Sequence, residues 1–186
     1  MANPLKEYYG GIRNDSSPIY MGIDQSYSGF AVTFLNDFGY TTTVYKSEKR
    51  GIDRLADIQA HLNSRLDAAS QWAPLADVAM EGYAFGSQMA NMLGELGGMV
   101  KLTLWERGIY PLIVPPTSLK KYVTGKGNGV SKSQMLLYVY KKWGVDLADD
   151  NAADSYALAH IASGKHDLVY EKEVYDKLQD PKFREK

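Results

Sequence analysis

The chain has 186 residues, a length that suits one domain with a full-sized core. Its 45% hydrophobic and 23% charged residues exclude a disordered or low-complexity chain, and no apolar run is long enough for a membrane span or a secretory signal, so a cytoplasmic protein is expected. The absence of cysteine excludes disulfides, thiolate metal sites and cysteine nucleophiles, while the net charge of −1 hides an uneven distribution. Between Lys101 and Lys142 stand eight basic residues against the acid Glu106, an excess of +7 that either forms a solvated helical face or meets nucleic acid.

In chain order, residues 1–18 are polar, carry Gly10-Gly11 and Pro18, and read as a leader of weak structure. Strands are expected over residues 19–24, 29–35 and 40–46, the last two joined by a hairpin turn at 36–39. Ile52, Leu55, Ile58, Leu62, Leu66 and Ala69 recur at three- and four-residue spacing and predict a helix over 52–72. Residues 78–81 read as a buried strand. Helical spacing returns over 87–107 through Met89, Met92, Leu93, Leu96 and Val100, in spite of Gly94, Gly97 and Gly98. Each of these glycines costs about 1 kcal/mol relative to Ala, so a close approach of another helix or of DNA backbone is expected there. Residues 109–114 form a further strand, ended by Pro115-Pro116, and 124–130 form a flexible glycine-rich loop. Ser131 and Gln134 make a capping box that opens a helix through Lys142. A last helix spans 151–163, and from Lys165 six bases balance six acids in a charged, partly ordered tail. The sum is an α/β fold with a mixed sheet flanked by helices: a leader at 1–18, one domain at 19–164 and a tail at 165–186.

Three acids sit where elements end. Asp24 closes a strand in G-I-D-Q-S-Y-S-G, Glu81 closes another in A-M-E-G-Y, and Asp154 lies in the first turn of the last helix in D-D-N-A-A-D. Strand C-terminal ends are where α/β sheets usually bind ligands. Converging carboxylates in a chain without cysteine suit hard cations such as Mg²⁺ or Mn²⁺. Two such ions about 4 Å apart activate water and stabilise the leaving oxygen of a phosphodiester. Lys132 stands at a capped helix start, where free N–H groups and the dipole favour phosphate.

The segments G-I-D-Q-S-Y-S-G, A-M-E-G-Y, T-G-K-G-N-G-V-S-K-S-Q and D-N-A-A-D-S-Y-A-L-A-H, in this order, resemble the successive motifs of RuvC-type Holliday junction resolvases, especially phage-encoded ones. The resemblance implies an RNase H-like fold with a mixed five-stranded sheet, a homodimer, and Mg²⁺-dependent paired symmetrical nicking of four-way DNA junctions. Water would attack the phosphodiester at a two-metal carboxylate site, leaving 5′-phosphate and 3′-hydroxyl ends. It assigns Asp24, Glu81 and Asp154 to the metals. Asn151 stands where bacterial relatives often carry an acid or His, so either Asp150 or Asn151 would complete the ligand set. Lys132, with Lys120 as its earlier partner, would lie beside the active site, and Lys121 and Lys126 would contact DNA backbone. Tyr83 or Phe85 would supply the aromatic that inserts at the junction centre. Tyr27 and His160 are expected to be structural, and His61 and His166 to face solvent.

Rival readings separate on simple features. G-N-G-V-S-K-S lacks the glycine that a phosphate loop places immediately before its lysine. An actin-like ATPase needs two such domains, which the length forbids. A broader fork or flap debranching nuclease, an RNase H-like RNA nuclease, or a non-catalytic junction-binding protein stays open.

Overall fold

The computed structural model describes residues 4–13, 16–83 and 90–184. Its strands are β1 (Leu5–Tyr9), β2 (Ile19–Asp24), β3 (Phe30–Asn36), β4 (Gly39–Tyr45), β5 (Leu75–Glu81) and β6 (Leu112–Val114). Its helices are α1 (Gly51–Ser70), α2 (Ala90–Trp105), α3 (Pro116–Thr124), α4 (Lys132–Trp143), α5 (Asp150–Ser163) and α6 (Val169–Leu178), followed by a 3₁₀ turn at Pro181–Phe183. They build one mixed six-stranded sheet in the order β1-β4-β3-β2-β5-β6. The first four in that order run antiparallel to their neighbours, whereas β2, β5 and β6 are parallel.

Side-chain alternation along the strands divides the core in two. Ile19, Met21 and Ile23 of β2, Phe30, Val32 and Phe34 of β3, and Val78 and Met80 of β5 pack with α1 and α2. The opposite face carries Ala31, Leu35, Val44 and Ala79 and receives α5, which is buried almost all round by α3, α4 and the sheet. An amphipathic stripe is therefore the wrong picture of α5. Gly22 explains how closely this helix lies on β2: a Cβ there would come within 1.9 Å of the Ser155 carbonyl oxygen and 2.4 Å of the Ala159 nitrogen. Beside it, the buried hydroxyls of Thr33, Thr42 and Ser155 satisfy one another at 2.7 and 2.8 Å.

The sheet has six strands, one more than expected, because residues 5–9 of the leader pair antiparallel with β4. An edge strand needs only one apolar side, and L-K-E-Y-Y is too polar and too short to announce itself. The residues after Pro115 are also helical, where the sequence reading saw only a strand terminator. Pro116 occupies the helix start, where its missing N–H costs nothing, Leu119, Tyr122 and Val123 are buried, and Gly125 ends the helix with φ of 77°. The charged tail contributes α6, which buries Glu171, Val174 and Leu178, and Arg184, whose two terminal nitrogens meet Asp77 at 2.5 and 2.9 Å.

His61 and His166 are both half-buried, contrary to the solvent-facing expectation. The His61 ring stacks on Tyr45 at 4.5 Å, and burial pushes its pKa down to about 4. His166 sits 3.3 Å from the Tyr122 hydroxyl. Among the described residues, no helix is long and apolar enough to cross a membrane.

Candidate active site

Parallel pairing sets the first two acids side by side. Ile23 of β2 is in register with Met80 of β5, so Asp24 and Glu81 follow as the next residues of adjacent strands. By alternation both point to the face that carries α5. The Asp149 carboxylate caps α5 by accepting from the Asn151 N–H at 3.1 Å, and Lys6 of the leader strand holds its other oxygen at 3.2 Å. This presents the first turns of α5, with Asp150, Asn151 and Asp154, to the two strand ends.

These elements enclose a cavity of about 300 Å³. Asp24, Glu81, Asp150, Asn151, Asp154, Lys120, Lys132 and Tyr83 all line it, together with Gln25, Ser26 and Met135. Lys121 and Lys126 do not. Lys121 points to α6 and pairs with Glu173 at 2.9 Å, and Lys126 is exposed on the glycine-rich loop. Phe85 lies outside the described residues. Gln25 escaped the sequence reading although it follows Asp24 directly. Its side chain is 5% exposed, and its Nε2 donates to the main-chain oxygen of Glu81 at 2.8 Å.

The electrostatics of the cavity are lopsided. Asp24 is 4% exposed, and burial, followed by the charges of Glu81 and Asp154, raises its pKa well above the carboxylate range. Burial also raises Glu81, against the pull of its hydrogen bond with Asp24 and of Lys120 and Lys132. Asp154 is pushed up to about 8 by burial and then by Glu81 and Asp150. Its Oδ1 is buried with no hydrogen-bond partner among the described residues. On the rim, Lys132 opens α4 behind the reciprocal Ser131–Gln134 capping box and forms an ion pair with Asp150.

A chain alone gains nothing from crowding acids in this way, since each unpaired buried charge is costly. A divalent cation reverses the balance. The donors are hard oxygens, one of them has no partner, and the cavity opens to solvent beside two lysines. No three His, Asp or Glu side chains among the described residues form a ready-made group around one ion. Mg²⁺ and Mn²⁺ commonly take one or two carboxylates and complete their shell with water and substrate phosphate. Such ions would be held pairwise, by Asp24 with Glu81 and by Asp154 with Asp150 or Asn151.

No protein-family model matches the sequence, and no curated protein matches it either. Solved structures do. The Thermus thermophilus RuvC structure superposes with a TM-score of 0.62 at 18% identity, covering 90% of this chain and 98% of that one. The fold is RuvC-like, of the RNase H type. T. thermophilus RuvC in complex with Holliday junction substrate matches with a TM-score of 0.59 at 20% identity, over 76% of this chain and 90% of that chain. The RuvC-like core accounts for the mixed sheet flanked by helices.

Proposed function

We propose that this protein is a Mg²⁺-dependent endonuclease that resolves four-way DNA junctions by paired symmetrical nicks. The observation that carries the reading is the meeting of Asp24, Glu81, Asp154 and Asp150 in one cavity of a RuvC-like fold. Two ions, when bound, would lower the pKa of water and neutralise charge on the phosphodiester under attack. Asp24 and Glu81 would bind one ion, and Asp154 with Asp150 or Asn151 the other. Mn²⁺ would substitute for Mg²⁺.

The remaining roles belong to the rim. Lys120 and Lys132 bring two ammonium groups to the mouth of an acid-lined cavity that would otherwise repel DNA. Lys132 would exchange its partner Asp150 for a phosphate oxygen and stabilise the charge that grows there. Tyr83 would stack on an unpaired base at the crossover, and Lys121 and Lys126 would contact backbone farther out. A homodimer would present two such cavities, and the exposed Met92, Leu102 and Trp105 of α2 offer an apolar surface for it.

Cleavage of end-labelled four-way junction, fork and linear duplex, in Mg²⁺ and in EDTA, tests the reading. Paired nicks confined to the junction, lost in EDTA and reduced more than about 10³-fold in Asp24→Asn with junction binding retained, are expected. Equal cutting of forks would make it a debranching nuclease. Near-wild-type cutting by Asp24→Asn would remove the site altogether.

A further inference from the structure

Among the described residues, Gln25 is the one buried polar side chain of the cavity that the proposed chemistry does not use. Its amide is half satisfied. Nε2 donates to the Glu81 main-chain oxygen, and a carbonyl can only accept, so this contact fixes which end of the amide is which. Oε1 is thereby turned the other way, buried and without a hydrogen-bond partner among the described residues. Leaving a buried acceptor unpaired is costly, so a donor is expected to reach it in some working state.

The neighbourhood offers one. At Gly97 of α2, an added Cβ would come within 2.2 Å of the Tyr83 hydroxyl and 2.3 Å of Gln25 Oε1. Both oxygens therefore occupy the notch that the missing side chain leaves in the helix. Gly94 and Gly98 of the same helix show nothing within 4 Å of the corresponding point, so the close approach anticipated for these glycines occurs at Gly97. Tyr83 is two residues beyond Glu81, half-buried, and lines the cavity with its ring 5.4 Å from the Lys101 ammonium.

We infer that Gln25 is a positioning residue: it ties the end of β5 to the end of β2, and its Oε1 accepts from the Tyr83 hydroxyl, its neighbour in the Gly97 notch, when contact with DNA brings the two oxygens into hydrogen-bond distance. Contact with the junction is thereby coupled to the alignment of Glu81 beside Asp24. This rests on the nuclease reading for the role of DNA, but the tie between the strands does not depend on it. In this role Gln25 would need no contact with the reacting phosphate or the ions. It acts through the backbone of a residue that would make such contact, as outer-shell partners of metal ligands do.

The test pairs a binding measurement with a rate. Mn²⁺ affinity of the DNA-free protein is read by electron paramagnetic resonance, and four-way junction cleavage under single-turnover conditions, for Gln25→Met, Tyr83→Phe and the double variant. Gln25→Met should weaken Mn²⁺ binding by about 10-fold to 100-fold and slow cleavage to a similar extent. Tyr83→Phe should slow cleavage several-fold and add nothing to Gln25→Met, because the hydroxyl acts through the amide. Unchanged Mn²⁺ affinity in a folded Gln25→Met protein would overturn the tie, and multiplying rate effects would overturn the coupling to Tyr83. Should Gln25→Met fail to fold, Gly97→Ala carries the same question. Its methyl group displaces both oxygens while favouring the helix, so slower cleavage at an undiminished unfolding midpoint supports the inference, and an unchanged rate opposes it. Gln25-dependent Mn²⁺ binding in a protein that cuts no DNA would separate the two ideas, leaving the positioning role and removing the nuclease.

Discussion

The two ends of α5 each bury a carboxylate and treat it in opposite ways. At the C-terminal end, Glu171 of α6 is 2% exposed. Burial pushes its pKa up, yet Lys142 and the N–H groups of Leu168 and Asp167 overcome that push and hold it below the usual range. Lys142 itself lies over the rings of Tyr122, Trp143 and Tyr170 at 4.7, 4.6 and 5.4 Å. At the N-terminal end, Asp24 is 4% exposed and faces Glu81 and Asp154 rather than a lysine. Both side chains are almost closed to solvent, but Asp24 is the more deeply desolvated and lacks the cationic and N–H partners that hold Glu171 down. Where the chain supplies its own counter-charge, a buried acid serves the fold. Where no counter-charge reaches it, the buried acid costs the fold free energy instead.

The comparison breaks most visibly at the self-sufficient end. Lys142→Met leaves Glu171 as an uncompensated buried charge, and urea unfolding should show a loss of about 3–5 kcal/mol, with cleavage per folded molecule retained. The opposite sign is expected at the other end. Asp154→Asn should be more stable than wild type at pH 8 in EDTA, by on the order of 2–4 kcal/mol, while cleavage is lost.

The pH dependence of the wild type sharpens the same point. An acid that titrates near 3.8 in the unfolded chain and at about 8 in the folded one keeps a proton that the unfolded state has released. That stability is complete below about pH 4 and is lost progressively as pH rises to 8. Thermal midpoints in EDTA should therefore fall across this window, and Mg²⁺ should restore them most at the alkaline end. The smallest effect belongs to the surface. Lys121→Ala should leave the unfolding midpoint nearly unchanged, weaken junction binding, and lower its salt slope by about one unit. An unaltered slope would mean that its pairing with Glu173 is its whole role.

Much of this was legible in the sequence, for identifiable reasons. β2, β3, β4, α1 and α4 have apolar periodicity or caps of their own, and the acids at the ends of β2 and β5 are visible as breaks in apolar runs. What the sequence hid depends on neighbours. β1 has no pattern until β4 is beside it, α3 starts on a proline that reads as a stop, and α5 lacks a polar face because it is covered on nearly every side. In the cavity, Gln25 was overlooked because its meaning lies in the carbonyl of Glu81, 56 residues away. The separation of Lys121 from Lys120 was equally invisible, since adjacent helical residues differ in where they point and only α6 reveals which faces the cavity.

Gly22 determines where motion is permitted. With the backbone of α5 resting directly on β2, no side chain remains between them to change rotamer and let one slide over the other. Asp24 and Asp154 are thus mounted on what is mechanically a single part. Any adjustment of the cavity to a ligand must come from groups that this contact does not fix, such as Lys132 behind the glycine-bearing stretch at 125–129. Asp24 and Asp154 form the fixed jaw of the site, and the basic groups at its mouth belong to parts that this contact leaves free.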